Sequence, residues 1–255
     1  MKPTIFSDFD GTISQLDVTD VVLTQLAHPS WREVEQEWAR GLIGSRECLE
    51  RQMTLVSAST KELNALVDSV AIDPHFANFH RFITRRAVPF YVVSDGFDII
   101  IRRVLKNSGL NGPLRNGKHL FSSCLKVRGR RMKPSFPYAG PPCTHDCATC
   151  KAEIIRQRRR AGSPVIFIGD GLSDRFAAQA ADIVFAKRQL LAYCRENGIA
   201  CRPFETFAEI EAELVKMLES PGDYPRSTRW SRPKKVINPG IARTSAASVL
   251  KSLSD

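Results

Sequence analysis

Three short apolar runs, each followed by polar residues, constrain the fold of this chain more than any other feature. Residues 4–8 (TIFSD), 88–94 (VPFYVVS) and 165–168 (VIFI) are too short for helices and rich in β-branched and aromatic side chains, so they read as buried strands. A fourth run at 183–185 is of the same kind. Between them lie helical patterns. Trp31, Val34, Trp38 and Leu42 recur at helical spacing, and Ser59 with Glu62 makes a capping-box pair before Leu63, Leu66, Val67 and Val70. Residues 98–107 and 151–160 read as helices, and 208–218 as a last one with Ile210, Leu214 and Leu218 on one face. Strands alternating with helices predict an α/β fold with a doubly wound parallel sheet. No convincing strand interrupts 17–87. That stretch is too long for a simple crossover, so we expect an inserted helical cap on a core of residues 1–16 and 88–219. Residues 110–142, rich in Gly, Pro and Lys/Arg, predict loops with a small hairpin.

The polar residues at the strand ends carry the chemistry. In Asp8-Phe9-Asp10-Gly11-Thr12, side chains alternate, so Asp8 and Asp10 point the same way where the first strand runs out. Doubly wound sheets bind ligands at that end. Two carboxylates there are costly unless a cation or a proton relieves their repulsion. Taken alone the segment also fits a surface turn, which Asp-Gly pairs favour. Three further segments favour a site. Ser94-Asp95-Gly96 brings a hydroxyl and a glycine amide to the end of the second strand, and Lys151 opens a helix after a loop. Gly169-Asp170-Gly171-Leu172-Ser173-Asp174 ends the third strand, with Asp170 and Asp174 about one turn apart if a helix begins there. A purely structural role gives no reason for polar residues to recur at three strand ends.

These four segments, in this order, resemble the four motifs of the haloacid dehalogenase superfamily over roughly residues 3–219, and the helical insert resembles the cap of its phosphoserine-phosphatase-like branch. The resemblance implies a Rossmann-like core and Mg2+-dependent hydrolysis of a small phosphorylated metabolite. It makes Asp8 the nucleophile that forms an aspartyl-phosphate and Asp10 the general acid and base. It gives phosphate binding to Thr12, Ser94, Gly96 and Lys151. Mg2+ would be held by Asp8, the Asp10 backbone carbonyl and Asp170, with Asp174 in support. The dehalogenases and P-type ATPases lack an aspartate at the position of Asp10, which favours phosphoesters. Asp95 departs from the pattern, since related phosphatases often carry glycine there. Asp17 lies where phosphoserine phosphatases place an acidic residue for the substrate ammonium. Gln52, not the adjacent Arg51, falls where they place a carboxylate-binding arginine. That pairing resembles the methionine-salvage phosphatases. It implies a keto-enol phosphate such as 2-hydroxy-3-keto-5-methylthiopentenyl-1-phosphate. The alternative is a phosphoserine phosphatase, or a phosphatase of another small phosphorylated amine or alcohol.

Cys143, His145, Cys147 and Cys150 lie within eight residues and invite a zinc reading. No second ligand pair stands at the usual spacing, so we expect a reduced, cysteine-rich loop before Lys151, which the methionine-salvage phosphatases resemble here. The opening MKPTIFSDFD has one Lys and no long apolar stretch, which is not a secretory signal; reduced thiols and a cytoplasmic location are expected. No apolar run reaches the ~18 residues of a membrane helix, so no membrane partner is expected. The net charge is +10, and residues 220–255 hold seven Lys/Arg against two Asp/Glu. Their Pro, Ser and Arg content predicts a basic, flexible tail, with 242–253 able to form a short helix. Two basic runs, Lys126 to Lys133 and Arg156 to Arg160, lack the interleaved aromatics of single-strand binders and read as solvated surface. A nucleic-acid-binding protein on a retired phosphatase scaffold is the non-enzyme alternative, and the intact set of site residues argues against it.

Overall fold

The computed structural model describes residues 2–110, 112, 114 and 118–219. Seven strands form one sheet: β1 (Thr4–Ser7), β2 (Phe90–Phe97), β3 (Leu120–Arg128), β4 (Arg131–Ser135), β5 (Val165–Gly169), β6 (Ile183–Ala186) and β7 (Arg202–Pro203). They lie in the order β4-β3-β2-β1-β5-β6-β7, and every neighbouring pair is parallel except β3 with β4. The chain winds outward from β1 to β3, then returns to lay β5 against the other side of β1. Winding direction therefore reverses between β1 and β5, and such a switch point is where open α/β sheets bind ligands.

Alternation along the strands sorts side chains into two cores. Ile5, Phe90, Val92, Ile166, Ile168 and Phe185 join one, and Phe6, Tyr91, Val93, Phe167 and Val184 join the other. Because both faces are covered, the strands read as continuous apolar runs rather than alternating ones. Five helices connect β1 to β2: α1 (Val18–Leu26), α2 (Trp31–Ala39), α3 (Ser45–Leu55), α4 (Thr60–Val67) and α5 (Phe76–Arg85). The Ser59–Glu62 capping box opens α4. On α5, Phe76 and Phe79 meet the rings of Phe90 and Phe207 at 4.8 to 6.0 Å, so this helix covers the sheet together with α6 (Asp98–Asn107) and α10 (Phe207–Glu219). The opposite face carries α7 (Lys151–Arg158), α8 (Arg175–Ala180) and α9 (Arg188–Glu196). Among the described residues no helix is long and apolar enough to cross a membrane.

Three differences from the sequence reading have local causes. The hairpin within residues 110–142 is β3 with β4, and its first arm is a nine-residue strand that also joins the main sheet beside β2. Its outer half carries Lys126 and Arg128, and that edge polarity masks the strand. The second strand continues through Ser94-Asp95-Gly96 to Phe97, with a register shift between Ser94 and Phe97. The helix that begins at Trp31 stops at Ala39, and Gly41 takes a left-handed φ of +73°; Leu42 therefore lies beyond the helix and is 69% exposed. The expected tail, 220–255 with its helix at 242–253, lies outside the described residues.

Candidate active site

β1 ends at Ser7, and the Asp8 amide still bonds the Ile168 carbonyl of β5 at 2.9 Å. The Asp8 side chain is thereby fixed at the switch point, 4% exposed. Its Oδ1 accepts from the Phe9 amide at 2.7 Å and lies 3.0 Å from Lys151 Nζ. The chain then turns at Gly11, φ +69°. A Cβ there would come within 2.4 Å of Asp170 Oδ2, so a side chain would push the two strand ends apart. Asp10 Oδ1 accepts from the Val18 amide at the start of α1 (3.0 Å), and its Oδ2 receives the Ser94 hydroxyl at 3.4 Å. The Ser94 oxygen accepts from the Gly96 amide at 2.9 Å, and any side chain at Gly96 would meet the Asp10 carboxylate.

Lys151, at the first turn of α7, is 3% exposed. Its ammonium donates to Asp174 Oδ1 at 2.6 Å and to Ser173 Oγ at 3.4 Å. Asp174 is fully buried, and its Oδ2 accepts from the amides of Asp170 and Gly171 at 3.0 and 3.2 Å. Asp170 Oδ1 receives the Thr12 hydroxyl at 2.8 Å. Thr12 does not line the cleft, so the structure places it behind Asp170 rather than on a phosphate.

The charges do not balance. Burial raises the pKa of Asp8 well above the usual carboxylate range; Asp174 adds to this and Lys151 opposes it. Burial and then Asp17 raise Asp10. Asp170 is pushed up to about 6 by burial and by Asp174. For Lys151, burial disfavours the ammonium, but Asp174, Asp8 and Asp95 outweigh it and hold its pKa well above the ordinary value. One oxygen each from Asp8, Asp170 and Asp174 lie within 4.8 Å of one another. A hard, oxygen-only set with surplus negative charge fits Mg2+. Arg188 is a site residue that sequence reasoning missed. Its guanidinium reaches Asp170 Oδ2 and the Gly11 carbonyl, both at 3.3 Å, and the Gln15 carbonyl at 3.1 Å. The sole signal for it was a basic residue just past the fourth predicted strand.

Above this floor opens a cleft of about 390 Å3, walled by Asp17, Asp20, Glu35, Trp38, Leu49 and Gln52 from the first three helices and the turn before them. Asp17 caps α1 and reaches solvent, yet the protein crowds it: burial and Asp20 push it up to about 6. Asp20 is pushed up to about 6 by burial and by Glu35. Gln52, 1% exposed, donates to Glu35 Oε2 at 2.8 Å. Arg51 does not line the cleft. Its guanidinium is forked onto Glu37 at 2.7 and 2.9 Å, with Glu47 at 3.4 Å. Asp95 does not confront a phosphate unscreened, since its Oδ1 accepts from the Thr149 amide at 2.9 Å. The thiols of Cys143, Cys147 and Cys150 lie within hydrogen-bonding reach of one another, and Cys147 chiefly lowers Cys150 to about 6, while the His145 ring stacks on Phe176 at 3.8 Å. In the basic runs, Arg130 pairs with Glu62 and Arg159 with Asp182, while Arg158 lies over the Phe121 ring.

A phosphatase of Bacillus mycoides (strain KBAB4), named for 2-hydroxy-3-keto-5-methylthiopentenyl-1-phosphate, is 29% identical over 222 residues, which is 86% of this chain and 99% of that protein. A protein of the same name from Geobacillus kaustophilus (strain HTA426) is 29% identical over 216 residues, 84% of this chain and 96% of its own. A substrate-bound phosphoserine phosphatase shares the fold, with a TM-score of 0.62 at 17% identity over 84% of this chain and 98% of that one. Residues 5–179, a span that holds every strand-end carboxylate and Lys151, match the haloacid dehalogenase-like hydrolases, and the chain belongs to that family.

Proposed function

We propose that this protein is a Mg2+-dependent phosphatase that hydrolyses a small phosphomonoester through an aspartyl-phosphate on Asp8. The observation that carries this reading is the buried group of Asp8, Lys151, Asp170 and Asp174 at the cleft floor, with Asp10 beside it. Asp8 Oδ1 is engaged by the Phe9 amide and Lys151, so we assign attack on phosphorus to Oδ2. The bond from phosphorus to the leaving oxygen breaks as the Asp8–phosphorus bond forms. Asp10, raised by burial, delivers its proton to that oxygen. As a carboxylate it then takes a proton from the water that cleaves the intermediate. Lys151 and Ser94 bind the phosphoryl oxygens and stabilise their growing charge. Gly96 keeps the floor open for them. Asp8, Asp170 and the Asp10 carbonyl would hold Mg2+, with Asp174 in support, and the ion would neutralise negative charge in the site. In this reading residues 1–16 and 88–219 are the core, which α5 joins because Phe76 and Phe79 pack on the sheet, and the rest of 17–87 is the cap, whose helices α1 to α3 face the substrate.

For the substrate we favour a keto-enol phosphate, 2-hydroxy-3-keto-5-methylthiopentenyl-1-phosphate. The names of the similar proteins support it, and so do uncharged Gln52 in the wall and Arg51 held outside it. Trp38 and Leu49 offer an apolar wall for a thioether chain. A second reading, a phosphorylated amine, is favoured by Asp17, Asp20 and Glu35 in the same wall. Phosphate release from the keto-enol phosphate, phosphoserine, phosphocholine and p-nitrophenyl phosphate, with Mg2+ and with EDTA, tests both. We expect Mg2+-dependent turnover and the highest kcat/KM on the keto-enol phosphate. Preference for an amine supports the second reading, and no turnover on any substrate refutes the function.

A further inference from the structure

We infer that Asp95 is a positioning residue: it seats the turn that carries Lys151 and ties that turn to the start of α3, one wall of the cleft. The inference rests on the phosphatase reading for the role of Lys151, but the contacts stand without it.

Residues 146–149 run into α7 immediately before Lys151. The Thr149 amide donates to Asp95 Oδ1 at 2.9 Å. The adjacent Ala148 amide donates to Ser45 Oγ at 2.9 Å, and Ser45, the first residue of α3, hydrogen-bonds the Asp95 side chain. A hydroxyl that accepts from an amide still has its proton to give, so Ser45 donates to the carboxylate. One carboxylate and one hydroxyl thus satisfy two successive amides on residues that are almost wholly buried. One step further back, the Arg46 amide donates to the Asp146 carbonyl at 3.1 Å, and Arg46 Nε reaches Asp146 Oδ1 at 2.7 Å. The backbones meet so closely that a Cβ on Gly44 would lie 2.4 Å from the Asp146 carbonyl oxygen. Residues 44–46 and 146–149 are therefore one joint.

Asp95 itself stands on β2 between Ser94 and Gly96. Its side chain connects three parts of the site: the strand end that offers Ser94, the turn that delivers Lys151, and the helix that puts Leu49 and Gln52 into the cleft wall. Removing the carboxylate leaves a buried amide without an acceptor, which is costly enough for the turn to re-seat. A displacement of about 1 Å at a reacting group lowers rate on the order of 100-fold. Asparagine keeps an oxygen for Thr149 and alanine does not, so the two substitutions separate position from charge.

The test compares the full-length wild type with Asp95→Ala, Asp95→Asn and Ser45→Ala. The readouts are kcat and KM for p-nitrophenyl phosphate and amide hydrogen exchange in the peptide spanning 146–150. We expect Asp95→Ala to lower kcat about 100-fold with KM within about threefold, and Asp95→Asn to recover to within about tenfold of wild type. Exchange at 146–150 should quicken in both alanine variants and not in Asp95→Asn. Wild-type kcat in Asp95→Ala, or Asp95→Asn as impaired as alanine with exchange unchanged, overturns the inference. If Asp95→Ala does not fold, Ser45→Ala decides: unchanged kcat and exchange overturn it, and loss of both supports it. If the wild type hydrolyses no phosphoester, the phosphatase reading fails. Exchange still decides whether Asp95 seats the turn, with unchanged rates in the alanine variants counting against it.

Discussion

Lys151 and Asp174 form a pair that water hardly reaches, and the pair is asymmetric in what it costs to lose. The ammonium keeps Asp8 as a second partner, but Asp174 also holds the amides of Asp170 and Gly171. Asp174→Ala strands both amides and leaves the ammonium with Asp8 alone as a charged partner, and breaking one side of a buried pair costs roughly 3–5 kcal/mol. We expect a loss of that size in denaturant unfolding; less than about 1 kcal/mol would show the pair to be dispensable. Asp8 is the opposite case. Burial and the neighbouring carboxylates disfavour its charge, so Asp8→Asn removes repulsion and should leave the melting temperature equal or higher. Turnover should nevertheless fall by at least about 10^3-fold, because an amide is a poor nucleophile. A folded Asp8→Asn protein with near-normal activity excludes Asp8 as nucleophile.

In the proposed function, the element on which substrate preference turns is α3. Adjacent residues on a helix point about 100° apart, so Gln52 and Arg51 cannot both enter the cleft. The structure sends Gln52 inward to Glu35 and Arg51 outward to Glu37. Arg51→Ala should therefore change kcat/KM by less than about twofold, since exposed pairs contribute little. Gln52→Leu deprives Glu35 of its amide donor, leaving the Cys48 thiol, and should raise KM several-fold, on the order of one lost charged hydrogen bond, with kcat less affected. Steady-state kinetics on the best substrate of the panel distinguishes them; a larger effect from Arg51 would restore it as a specificity residue. The same scale shows why some elements escaped the sequence reading. β3 is masked by the basic residues of its outer half, and α5 is legible as a helix without any sign that its two phenylalanines belong with Phe90 and Phe207.

For the molecule as a whole, the crowded carboxylates link protons, metal and stability. Asp170 titrates at about 6 in the fold against roughly 3.9 when unfolded. A raised acid binds more protons folded than unfolded within that window, so its contribution declines as pH rises from about 4 to 6 and stays low above. Without metal, Asp170→Asn should then raise the melting temperature at pH 7.5 and change it little at pH 5. For the same reason Mg2+ should stabilise the wild type at pH 7.5 and much less at pH 5, where protons hold the carboxylates. Melting curves at both pH values, with Mg2+ and with EDTA, check the sign. An equal Mg2+ effect at both would remove Asp170 from the metal site.

Local chemistry decided much of this protein and is visible in its sequence. Strands covered on both faces must be apolar throughout, so β1, β2, β5 and β6 stand out, although β1 ends at Ser7 and the turn beyond it, rather than strand alternation, places Asp10 beside Asp8. Polar residues at successive strand ends then identify the edge where Ser94, Lys151, Asp170 and Asp174 gather. Tertiary structure alone decided the rest, because it depends on which distant segments meet. Thr12 turns to Asp170 because Gly11 lets the two strand ends touch. Arg188 enters the site because β6 ends beside β5. Asp95 finds its partners because residues 44–46 dock on 146–149, about a hundred positions away in the chain. Periodicity reports the direction a side chain leaves its own element; it holds no record of what waits there.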